Sequence, residues 1–233
     1  MIELLRQQVA HHITALQARP EVDAFHTLWY GEAARLTWCA TRWMGVPLQK
    51  SPFDLFVQQD LIVDLRPSLI IETGTAHGGS ALFYAHLCDL IGHGRVLSID
   101  IVTTPDLEHP RIRFWQGDSV DPFIVGNIAY EVASAQEAHP GPVLVILDSC
   151  HHASHVAKEL ELYHRYVTPG SYLIVEDTNV SGKPVTNPEF AAEGGPYAAI
   201  EAWLPDHPEF EQDALCEHYL LTMHPGGWLR RRP

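Results

Sequence analysis

The chain has 233 residues, enough for one large α/β unit, and its 46% hydrophobic content suffices for a buried core. A formal net charge of −14 argues against a nucleic-acid surface, which needs clustered Lys and Arg to replace counterions, and the short run Arg230 to Arg232 does not reverse that. No apolar run reaches the ~18 residues that span a bilayer, and Cys39, Cys88, Cys150 and Cys216 stand far apart with no CxxC, so neither a disulfide frame nor a cysteine zinc knuckle is expected.

The segment up to about Leu65 reads as helical. It opens with MIELLRQQVAHHITALQARP, a polar amphipathic stretch without the regions of a secretory leader, so a cytoplasmic location is expected. Phe25, Trp29, Tyr30, Trp38 and Trp43 make an aromatic cluster, and GVPLQKSP breaks the pattern. These rings are expected chiefly to pack helices onto the rest of the chain, because aromatics bury large areas wherever they sit. From Pro67 onward, short apolar runs alternate with helical stretches. SLIIETG, RVLSIDI, RIRFWQGD, PVLVILDS and SYLIVEDT read as strands. GSALFYAHLCDLIG, PFIVGNIAYEVASAQEA, HVAKELELYHRYV and PYAAIEAWLPDH read as helices, and the tail holds one or two further strands around a PGG turn. Such alternation predicts βαβ units: an α/β fold with a mostly parallel sheet and helices on both faces. The expected division is residues 1–65, a helical N-terminal segment, and residues 66–233, the main domain.

In such sheets ligands bind beyond the carboxyl ends of the strands, and here those ends are acidic. Glu72 closes the first, followed by a turn with Gly74, Gly78 and Gly79 that lets backbone and helix N-terminal amides approach a ligand. Asp100 ends the second and suits the ribose hydroxyls of an adenosine cofactor. Asp118 and Ser119 end the third, where an adenine edge is expected. The turn is G-x-A-x-G and lacks the dinucleotide G-x-G-x-x-G, which weakens a nicotinamide-dependent oxidoreductase reading.

The stretch VLVILDSCHH, residues 143–152, sets an apolar run against a carboxylate, a thiol and two imidazoles. Asp148 and the pair Glu176–Asp177 end two further strands. If these are neighbours, three carboxylates converge, which a cation must neutralise, and oxygen donors suit Mg²⁺, Mn²⁺ or Ca²⁺. His151 and His155, one helical turn apart, also fit zinc with Asp148 as a third ligand. Alternatively His151 stands just beyond a hard metal as a general base. His152 and His155 are expected as exposed helix residues, and Cys150 as a small side chain in the turn.

The motifs RPSLIIETGTAHGGSALFYA, VILDS-x-H, PGSYLIVEDTNV and PGGWLRR together resemble the class I S-adenosylmethionine-dependent methyltransferases of the cephalosporin hydroxylase-like family, nearest to the macrolide and rhamnosyl sugar O-methyltransferases. That resemblance implies a Rossmann-like methyltransferase fold, a seven-stranded sheet with an antiparallel strand near the C-terminus. It implies a donor whose methionine part lies among Glu72, Gly74, His77, Gly78, Gly79 and Ser80, with Asp100 at the ribose and Asp118 and Ser119 at the adenine. It further implies Mg²⁺ held by Asp148, Glu176 and Asp177, with His151 as catalytic base. Where the family often reads DSDH this chain reads DSCH, so Cys150 replaces an acidic residue.

The expected reaction is metal-assisted methyl transfer to a hydroxyl of a sugar or glycosylated natural product. The loop from Asn179 to Pro196 and the N-terminal segment are expected to choose the acceptor. A homo-oligomer is expected, with no nucleic-acid or membrane partner. The rival readings are a catalytically silent donor-binding or assembly subunit, and a hydroxylase-like enzyme acting on another small molecule.

Overall fold

The structure, a computed structural model, describes residues 2–102, 105–180, 184–185 and 187–233. The N-terminal segment contains α1 (Ile2–Gln17), α2 (Pro20–His26), a π-helical turn (Thr27–Glu32) and α3 (Pro52–Leu65). It is not wholly helical. At the break around GVPLQKSP the chain makes a small antiparallel hairpin of β1 (Arg42–Trp43) and β2 (Val46–Pro47). Its two turn residues, Met44 and Gly45, both have positive φ (49° and 90°), the geometry whose twist matches paired strands.

The remainder alternates as its hydrophobic pattern predicts. In chain order it runs β3 (Leu69–Thr73), α4 (Gly79–Leu90), β4 (Arg95–Asp100), β5 (Ile112–Gln116), α5 (Pro122–Ala138), β6 (Val143–Leu147) and α6 (Ala153–Tyr163). There follow β7 (Tyr172–Val175), α7 (Pro188–Ala191), α8 (Gly195–Trp203), β8 (Phe210–Gln212) and β9 (Trp228–Arg231). The seven-stranded sheet has the order β5-β4-β3-β6-β7-β9-β8. Strands β3 to β7 pair in parallel, and β9 runs antiparallel to both β7 and β8. This is the mixed sheet of a Rossmann-like methyltransferase fold.

Successive strand residues face opposite sides of the sheet. Leu69 and Ile71 of β3 therefore join Ile128 of α5, Leu160 of α6 and Ile200 of α8 on one face. Ile70 joins Ile62 of α3 and Tyr84 of α4 on the other. Burial on both faces explains why β6 reads as an unbroken apolar run and why β3 is apolar up to Glu72. Helix α3 thus belongs to the core of the sheet, which anchors the N-terminal segment against the face beneath the hairpin. Strand order reverses between β3 and β6, so a crevice opens beyond their carboxyl ends.

Among the described residues no helix is long and apolar enough to cross a membrane.

Candidate active site

A cavity of about 600 Å³ occupies that crevice. One wall is the turn after β3. Gly74 has φ +87°, and a Cβ there would lie 1.9 Å from the carbonyl oxygen of Asp148, so only glycine lets the turn pass the end of β6. Gly79 opens α4 against the hairpin, where a Cβ would meet the Pro47 oxygen at 2.2 Å. Gly78 precedes α4 with no side-chain cap, leaving first-turn amides toward the cavity wall formed by Gly79 and Ser80. His77 is exposed and also lines the cavity.

Asp100 ends β4 on the same wall. Its Oδ2 accepts from the amides of Thr75 and Ala76 (2.8 and 2.9 Å), and its Oδ1 from Val102 (2.9 Å). The carboxylate therefore folds the glycine turn as well as facing the cavity. Asp118 and Ser119 line the neighbouring stretch; Asp118 Oδ1 accepts from Val120, and Ser119 Oγ lies 3.1 Å from His155 Nε2. Glu72 differs from these. It is fully buried beneath the turn and lies off the cavity wall, where Ser98 donates to it at 2.6 Å. Burial pushes its carboxyl up to about 7.

The opposite wall carries the second acidic group. Strands β6 and β7 are adjacent, so Asp148 and Glu176–Asp177 emerge side by side. The donor atoms of Asp148, His151 and Asp177 lie within 4.8 Å of one another. His151 Nε2 stands 3.2 Å from Asp177 Oδ2, and its ring meets Phe190 edge-on at 5.6 Å. Asp177 has φ +54°, a backbone state unusual for a non-glycine residue, held in part by its amide donating to His224 Nδ1 at 3.1 Å. Burial raises the Asp177 carboxyl to about 6, against the opposing pull of His151. Burial likewise raises Asp148.

Glu176 lies outside that trio. Consecutive residues leave a strand end in different directions, and its carboxylate turns into the protein, 2% exposed. There Oε1 accepts from Gln58 at 2.9 Å and Oε2 from the Lys50 ammonium. Lys50 also reaches Asp148 Oδ2 at 2.6 Å, so one buried cation bridges the two carboxylates. Burial alone would lower its ammonium, but Asp148 and Glu176 outweigh it and hold it well above the ordinary lysine range.

Lys50 escaped sequence reasoning because it lies 98 residues from Asp148 and 126 from Glu176. The signal lay in GVPLQKSP, read only as a break. His155 is a correction: it is a wall residue of the cavity, tied to Ser119, and its pKa is raised by the carboxylate of buried Glu159, 3.7 Å away. The aromatic cluster divides. Trp43 packs edge-on to Phe83 in the core, whereas Tyr30 and Trp38, stacked at 4.9 Å, line the cavity with Val180 and Phe190. Cys150 lines it as well. Of the Asn179–Pro196 loop, residues 181–183 and 186 lie outside the described residues.

Residues 35–232 match the family model described as Rhamnosyl O-methyltransferase/CmcI. The chain belongs to this family. It is 37% identical over 216 residues to a rhamnosyl O-methyltransferase of Mycobacterium leprae (strain TN), spanning 90% of each chain. It is 35% identical over 233 residues to one of Mycobacterium tuberculosis (strain ATCC 25618 / H37Rv), spanning 96% of this chain and 91% of the other. Among solved structures, CmcI with Mg and SAM shares the fold at a TM-score of 0.57 and 22% identity, over 84% of this chain and 78% of that one.

Proposed function

We propose that the protein transfers a methyl group from S-adenosylmethionine to a hydroxyl of a sugar or sugar-bearing acceptor, assisted by Mg²⁺. The observation that carries this reading is the meeting, in one cavity, of a glycine turn with an uncapped helix start and the Asp148–His151–Asp177 trio. The names of the relatives, rhamnosyl O-methyltransferases, and the Mg and SAM of the CmcI structure support it further.

In this reading the donor's carboxylate lies against the first amides of α4, and Asp100 offers its remaining lone pair to the ribose. Asp118 and Ser119 border the adenine side. Glu72 supports the turn from below.

The carboxylates of Asp148 and Asp177 fit a hard divalent cation: burial raises both, and Asp177 Oδ1 is buried with no hydrogen-bond partner. Glu176 completes an oxygen set only if Lys50 withdraws from it. When bound, the cation supplies Lewis acidity at the acceptor oxygen. His151 takes the acceptor's proton at Nε2, the atom now facing Asp177, a contribution of ~10²–10⁴-fold. Phe190, edge-on to the imidazole, fixes its plane. Tyr30, Trp38 and Val180 cover the acceptor side, so the N-terminal segment helps to select the acceptor. Positioning of the two substrates supplies much of the remaining rate.

The test is a labelled-methyl assay on rhamnosides and other glycosides, with Mg²⁺ and with excess chelator, beside calorimetry with S-adenosylmethionine. Expected are donor binding and Mg²⁺-dependent label transfer to a glycoside. Donor binding without transfer to any hydroxyl would favour a silent binding subunit, and full activity in chelator would remove the metal from the mechanism.

A further inference from the structure

At the other end of α6 from His155 lies a second group of metal-ligating side chains. Glu161 is on the last turn of α6, His164 follows in the next turn, and His207 follows α8. Their donor atoms lie within 4.8 Å of one another. None of the three lines the active-site cavity.

Trp203, the last residue of α8, orients two of them. Its indole N–H donates to Glu161 Oε2 at 3.0 Å, and its carbonyl oxygen lies 2.9 Å from His207 Nδ1. Its ring also stacks on the His207 imidazole, at 3.8 Å between centroids and 15° between planes. With Nδ1 engaged by the backbone carbonyl, Nε2 is the free ring nitrogen and faces Glu161 Oε2 at 3.7 Å. These two atoms are spaced so that one cation can take both as ligands.

The third member adds to this. His164 packs edge-on against His207 at 4.9 Å. Its Nδ1 is buried without a hydrogen-bond partner, and Glu209 Oε1 lies 3.9 Å away.

We propose that Glu161, His164 and His207 bind one Zn²⁺-class ion, with Glu209 or water in the fourth position, which ties the end of α6 to the chain after α8. Two imidazoles and a carboxylate suit this borderline metal, whose four-coordinate sites need donors at about 2.0–2.2 Å from the ion. The backbone and indole contacts of Trp203 are the outer-shell partners that such ligands require.

The experiment titrates metal-stripped protein with Zn²⁺ by calorimetry and follows thermal unfolding, using wild type, His207→Gln, Glu161→Gln and Asp148→Asn. Expected is a Zn²⁺ binding event shared by wild type and Asp148→Asn, beside any ion taken up at Asp148 and Asp177, with a raised unfolding midpoint because only the folded state offers the site. His207→Gln should lose that event, and Glu161→Gln should weaken it by about tenfold or more. Co²⁺ in place of Zn²⁺ should give tetrahedral visible absorption that the same substitutions remove. Retention of that shared event in His207→Gln and Glu161→Gln, its loss in Asp148→Asn, or its absence from wild type would overturn the proposal. Glu161 is exposed, so its variant keeps the test open even if His207→Gln folds poorly.

Discussion

Replacing Lys50 by Met removes the cation that bridges Asp148 and Glu176 while keeping an unbranched stem of similar reach. Glu176 is then left 2% exposed with Gln58 as its donor. Breaking a buried ion pair from one side costs about 3–5 kcal/mol, because the remaining charge is neither paired nor hydrated. Asp148 is 22% exposed and partly open to the cavity, so the lower end, about 3 kcal/mol, is expected. For a chain of this size that lowers Tm by about 6–12 °C. Urea unfolding in chelator at pH 8 measures the loss. At that pH the nearby His224, which burial already lowers, is neutral and does not substitute for the ammonium. Repeating the titration in saturating Mg²⁺ separates two views of the site. If the lysine occupies a place in the carboxylate cluster that a divalent cation also serves, Mg²⁺ at 100 times its Kd should return about 2.7 kcal/mol to the variant. It should return less to wild type, where Glu176 is engaged. A loss below about 1 kcal/mol in chelator, or equal Mg²⁺ stabilisation of both proteins, would refute the reasoning.

His26 is 5% exposed and accepts from the Asn179 side chain at 2.8 Å, and burial lowers its pKa to about 4. Because the unfolded chain binds its proton near pH 6.5, the stability it contributes is full above that value and falls away toward pH 4, by about 3 kcal/mol in all. His26→Gln should flatten the acid limb of the stability curve over that interval, and parallel wild-type and variant curves would count against the assignment. His151→Gln should lower kcat by ~10²–10⁴-fold while calorimetric donor affinity stays within twofold or so; an unchanged rate would rule out the base. Gly74→Ala should lose about 1–3 kcal/mol to backbone strain alone, and more because its Cβ meets the Asp148 oxygen. Donor affinity should fall with it, and a variant of wild-type stability in urea would show that the turn has another way past β6.

The site was only partly legible along the chain. Asp148, His151 and Asp177 announce themselves because each follows an apolar run at a strand end, and parallel order makes those ends neighbours. Gly74 and Asp100 follow from the same rule. Glu176 shows its limit: it shares the motif with Asp177, yet its direction depends on what fills the space beneath the sheet, and there Lys50 and Gln58 arrive from the N-terminal segment. His155 was marked only by its spacing from His151, and its place in the cavity wall was not legible, since a helical histidine is exposed unless another element covers it, and here Ser119 does.

Periodicity and punctuation in the sequence by themselves determined the alternation of strands and helices, the parallel core of the sheet and the acidic strand ends, because these depend on neighbours within a few residues. Tertiary structure alone decided which acids share a cation, which aromatics line the cavity, and that Glu161, His164 and His207 meet. Those contacts join residues far apart in the chain, and their geometry is set by the packing of whole elements, which no local pattern encodes.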